Sequence, residues 1–131
     1  MELKENLKPI LKHWDKINIK ISNTIIKALQ ILIKKIPDLL YLHGSCTQNS
    51  LKVPNDIDFI YISQNFNDFT IFQQIKYIKH ILIGSDFDFP IDVIPYSMKE
   101  FKRNSRFDFN TYDEVNYPNK LIIVYKNDAT R

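Results

Sequence analysis

Glycine and cysteine are scarce in this chain, with two glycines and one cysteine among 131 residues. The single Cys46 excludes an intramolecular disulfide framework, and neither a CxxC pair nor a clustered Cys/His zinc spacing is present. Such cysteine usage fits a reducing compartment, so a soluble, cytoplasmic protein is expected. No apolar run approaches membrane-spanning length. Positions 1–20 interleave acids and lysines with apolar residues, unlike the apolar centre of a signal peptide, and no membrane partner is expected. Charge of one sign is also lacking: 18 lysines and arginines against 15 acids leave +3 and a pI of about 8.9. That balance falls short of the footprint of a dedicated nucleic-acid binder while permitting an anionic ligand.

What the chain does have is apolar material, 44% of its residues, enough for one core and too little for two. Residues 1–131 therefore read as a single domain. Leu3, Leu7, Ile10, Leu11 and Trp14 recur at helical spacing, with Pro9 marking a kink or a start. Lys4, Lys8, Lys12, Lys16 and Lys20 fall at every fourth position and read as a solvated face. A second helix is expected from Ser22 or Asn23, either able to cap it, through Ile36 to Pro37, unless the two helices are one.

Residues 39–43 form an apolar run too short for a helix and read as a buried strand ending at Gly44. Residues 56–63 read as a second strand, apolar on both faces beyond its start. A helix over 69–83, capped by Asn67 or Asp68 and ended by Gly84, precedes a third strand over 89–96 whose Pro90 and Pro95 suit its ends or a sheet edge. A short basic helix over 97–104, an irregular stretch through Pro118 and a strand over 121–125 complete the order. The alternation implies an α/β fold: a small mixed sheet of about four strands flanked by helices, with an N-terminal helical segment.

Three features carry chemistry. Leu40 to His43 run into a Gly44-Ser45 turn, where a missing side chain lets backbone amides approach a phosphate and Ser45 adds a hydroxyl. A helix starting within 46–52 would add its dipole there. Asp56 and Asp58 sit at i and i+2 at a strand start, on one face with Cα atoms ~7 Å apart, so both can reach a shared cation. Asp92 lies within an apolar strand, Ile91-Asp92-Val93-Ile94, where an acid must be hydrogen-bonded, paired or metal-bound. Asp86 and Asp88 are weaker candidates for the third acid, because their place after Gly84 reads as a loop. Hard oxygen donors favour Mg²⁺ or Mn²⁺ over zinc.

His43-Gly44-Ser45, then Asp56-Ile57-Asp58-Phe59-Ile60, then Asp92 on a later strand resembles the DNA polymerase beta-like nucleotidyltransferase superfamily. The likeness is strongest to its minimal members, such as the nucleotidyltransferase half of bacterial toxin–antitoxin pairs, and spans residues 23–101. The resemblance implies a nucleotidyltransferase fold in which Gly44 and Ser45 bind the triphosphate of a nucleotide, ATP above all. It further implies that Asp56 and Asp58 hold the metals, and that Asp92, grouped with them, assists the attacking hydroxyl. Many minimal members have an arginine soon after the Gly-Ser. This chain has Cys46-Thr47-Gln48-Asn49-Ser50, leaving Thr47, Gln48 or Lys52 as substitute phosphate contacts.

The expected activity is metal-dependent transfer of a nucleoside monophosphate, AMP from ATP, onto a hydroxyl of a protein or RNA acceptor. No separate helical substrate domain is evident. Acceptor choice would then rest on a partner protein, a homo-oligomer or the N-terminal helices. The alternative is a catalytically inactive binding module of the same fold that acts by contact with a partner protein. A nuclease built on the same acids is disfavoured, since no Glu-x-Lys signature follows. Lys99, Lys102, Arg103 and Arg106 read as a solvated basic helix rather than a triphosphate or RNA contact. His43, Cys46 and Trp14 read as packed residues.

Overall fold

Capping chemistry decides where the N-terminal helices begin and end in the computed structural model, which describes residues 4–48, 50–103 and 121–127. Helix α1 (Lys8–Ile17) carries Pro9 in its first turn, where an amide has no helical partner to lose, so the helix starts there instead of kinking. It ends at Asn18, whose backbone swings to an extended conformation and whose side chain accepts from Lys20 N at 3.1 Å. That cap opens helix α2 (Ile19–Ile33). The two helices are therefore separate, and neither Ser22 nor Asn23 is the cap. Ser22 is buried inside α2, with its hydroxyl donating to the Asp15 carboxylate.

The sheet has four strands in the order β3-β2-β1-β4. Strand β1 (Leu39–His43) pairs antiparallel with β2 (Ile57–Ser63) on one side and with β4 (Leu121–Lys126) on the other. Strand β3 (Ile91–Ser97) runs parallel to β2 at the edge, so the sheet is mixed, as the element order implied. Pro95 sits on this edge strand, where a missing N–H is tolerated, and the Pro90 carbonyl accepts from Ile57 N at 2.9 Å. Helix α3 (Ile71–Leu82) supplies the β2-to-β3 crossover. Its cap is Thr70 in a reciprocal capping box with Gln73, not Asn67 or Asp68. Asn67 accepts from Lys99 N instead, at 3.1 Å. Gly84, at φ +77°, turns the chain beyond α3.

Alternation along β1 and β2 divides the core between two faces. Leu40, Leu42, Ile57, Phe59 and Tyr61 pack with Trp14, Leu29, Phe66 and Ile78 of the helical layer. Fully buried side chains of this size contribute about 1.5–3 kcal/mol each. Leu39, Tyr41, Ile60 and Ile62 face the other way, against Met98 and Phe101 of α4 (Met98–Arg103). Asn104, Arg106 and the stretch through Pro118 lie outside the described residues. Among the described residues no helix is long and apolar enough to cross a membrane.

Candidate active site

Strand register brings the acids together. Asp58 is the second residue of β2 and stands opposite His43 on β1 and Asp92 on β3. Asp56 lies just ahead of the same strand. Each of Asp56, Asp58 and Asp92 offers a carboxylate oxygen within 4.8 Å of the others'. Parallel pairing of β2 with β3 is what aligns positions 58 and 92, although they are far apart in sequence. Asp86 and Asp88 stay exposed in the α3–β3 loop, outside this cluster.

Electrostatically the cluster is underneutralised. Among the described residues none of the three acids is ion-paired with a lysine or arginine. Burial pushes the Asp58 carboxyl up to about 7, helped by a hydrogen bond and like charge from Asp56 and by the charge of Asp92. Three crowded carboxylate oxygens with no cationic partner are a donor set suited to a hard divalent cation, so these residues fit the metal that the sequence pattern implied.

Gly44 borders the cluster closely. It has φ +89° and ψ −160°, a region essentially restricted to glycine, and a Cβ there would meet Asp58 Oδ2 at 2.8 Å. Residues Ser45–Thr47 form a single 3₁₀ turn, not the start of a longer helix over 46–52, so no sustained helix dipole points at the site. Thr47 turns its hydroxyl inward, 2.7 Å from the Gly44 carbonyl oxygen, and thereby holds the turn. Ser45 is exposed. With Gln48, Ser50, Lys52 and Asn55 it lines a cleft of about 320 Å³ between the turn and the approach to Asp56.

Helix α1 steadies this loop, a role that sequence periodicity alone did not suggest. Trp14 Nε1 donates to the Cys46 carbonyl at 2.7 Å, and His13 Nε2 lies 2.7 Å from the Ser50 carbonyl. Trp14 is core, as expected, and also the tether of the turn. The Cys46 thiol is buried and pushed up to about 12 by that burial, which makes it a packed, unreactive group. Burial likewise lowers the pKa of His43. Lys99, Lys102 and Arg103 are solvent-facing or exposed on α4, beyond the end of β3 remote from Asp92.

No family model matches the sequence, and no curated protein matches it. The structure is similar to that of a proposed nucleotidyltransferase from Sulfolobus solfataricus, with a TM-score of 0.52 over 96% of this chain and 88% of that one, at 13% identity. The fold of this chain is thus a nucleotidyltransferase fold: a four-stranded mixed sheet flanked by helices, with three acids able to hold a divalent metal at the strand ends.

Proposed function

We propose that the protein is a metal-dependent nucleotidyltransferase that moves AMP from ATP onto a hydroxyl of a protein or RNA acceptor. The observation that carries this reading is the meeting of three carboxylate oxygens within 4.8 Å of one another beside Gly44. Asp56 and Asp58 would hold Mg²⁺ or Mn²⁺, with Asp92 completing the set. A bound divalent ion supplies neutralisation of phosphate charge. Ser45 and Lys52 receive the phosphates in the adjoining cleft, while Thr47 keeps the turn in shape from behind. Asp92 takes the proton of the acceptor hydroxyl as its oxygen bonds to the α-phosphorus. The α–β phosphoanhydride bond breaks, and pyrophosphate leaves with the electron pair.

Incubation with Mg²⁺, α-labelled ATP and the product of the neighbouring gene should move label onto that product. Asp58→Asn should lower the transfer about 100-fold or more. Absence of transfer across the common nucleotides, with no nucleotide binding, would sink the proposal. A second reading, partner binding without chemistry, is favoured by the absence of an arginine from the cleft lining among the described residues and by the inward-turned Thr47 hydroxyl. The joint change of Asp56 and Asp58 to Asn separates the two, since a contact module keeps its cellular effect and a transferase loses it.

A further inference from the structure

Sheet order separates the two approaches to the acids. Gly44 follows β1, so the Ser45–Lys52 side lies to one flank of Asp56 and Asp58, while Asp92 lies on the edge strand at the other. A molecule that reaches Asp92 without crossing the cleft passes the outer edge of β3. Along that edge runs a groove of about 380 Å³, walled by Ile75, Ile78 and Lys79 of α3 and by Val93 and Ile94 of β3, with Asp92 in its lining. Apolar surface continues from it onto the helix, where Ile71 is 68% exposed, Phe72 74% and Ile75 41%. Exposed apolar surface concentrated in this way marks an interaction site.

The strand contributes a second kind of complementarity. Ile57 N donates to the Pro90 carbonyl, and parallel pairing directs alternate residues of β3 toward β2. Ile91 and Val93 therefore turn their N–H and C=O groups outward. Pro95, the next outward position, has no N–H, which confines the usable edge to the half that holds Asp92. The facing helix adds charge: α3 carries Lys76, Lys79 and His80 and no acid.

We infer that this groove docks the acceptor as an extended polypeptide segment of another protein, added as a strand beside Ile91 and Val93. Apolar side chains of that segment rest on Ile75 and Ile94, an acidic one faces Lys79, and its hydroxyl-bearing residue is delivered to Asp92. The inference rests on the transferase reading above and narrows its acceptor to protein. An RNA strand would have to lay phosphates along an apolar wall.

The test is selection of a random-sequence peptide library on the full chain, followed by affinity measurements on the recovered peptides. The expected peptides alternate apolar residues and carry an acid, and their Kd weakens at least about tenfold in both Ile75→Lys and Lys79→Glu. Both positions are on the helix surface, and circular dichroism should show both variants folded, with binding of Mg²⁺ and a non-hydrolysable ATP analogue unchanged. Recovery of no peptide, or of peptides indifferent to both variants, would overturn the inference. So would equal competition by a mixed-sequence single-stranded RNA, or a homodimer that Ile75→Lys dissociates, since a second copy would then cover the groove. Peptide docking as described in a protein that binds no nucleotide would leave the groove standing and remove the transferase reading instead.

Discussion

Gly44 and Asp58 share one small space, because a Cβ on residue 44 would stand 2.8 Å from Asp58 Oδ2. The backbone at 44, at φ +89°, independently excludes other residues. Shape of the turn and position of the carboxylate are therefore set together.

Gly44→Ala should destabilise the fold by about 1–3 kcal/mol, from backbone strain alone. It should also weaken divalent-ion binding, because Asp58 has to move aside. Thermal melts, together with Mn²⁺ titration by electron paramagnetic resonance, check both effects. An alanine variant with wild-type Mn²⁺ affinity would show that the close approach is irrelevant to the acids.

Acidity offers a second check. Asp58 titrates near 7 in the folded protein against an ordinary value of 3.8, so the native state keeps a proton that the unfolded chain releases. The contribution of this proton to the stability of the metal-free protein should be full below about pH 4 and be lost as pH rises through about 7. Mg²⁺ should restore the lost stability, with affinity tightening through the same range as the proton leaves. Chemical denaturation across pH, with and without Mg²⁺, measures the slope, and Asp58→Asn should flatten it.

Trp14→Phe keeps most of the buried ring but removes the donor that satisfies the Cys46 carbonyl. A loss of about 1–3 kcal/mol is expected from the orphaned acceptor. Loosening of the turn should also raise KM for nucleotide more than it lowers kcat. Equal changes in both would mean that the tether acts on global stability alone.

Ile36 adopts φ +49°, a left-handed conformation that a β-branched residue tolerates poorly, and it is 59% exposed. Ile36→Asn should raise stability by about 1 kcal/mol, with activity unaltered. Differential scanning calorimetry would register this as a higher Tm, and an unchanged or lower Tm would refute the strain.

The core strands and the pairing of Asp56 with Asp58 were legible from residue order because each depends on short-range pattern, whereas Asp92 joins them only through the long-range parallel pairing of β2 with β3. Buried runs around Leu40 and Phe59 announce strands, and acids at i and i+2 share a face whatever surrounds them. Helix starts were less legible. Ser22 and Asn23 have capping side chains, but apolar periodicity through Ile21 and Ile25 carries the helix back to Asn18, burying Ser22 inside it. The Thr70/Gln73 box was present as a T-x-x-Q pattern, with Asn67 and Asp68 offering equally capable oxygens nearby. The contacts of Trp14 and His13 with the turn depend on how α1 crosses the sheet. That crossing is a tertiary property with no local signature.

Placement of β4 has a kinetic consequence. Leu121 pairs with His43, and the Asn6 side chain reaches the Ile123 carbonyl across 117 positions, so closing the sheet on this side joins segments far apart in sequence. The β1–β2 pairing spans a far shorter stretch and can assemble first. Pairing of β4 with β1 is the most non-local of the strand pairings, so it should weigh on the folding rate more than the pairings that carry the three acids.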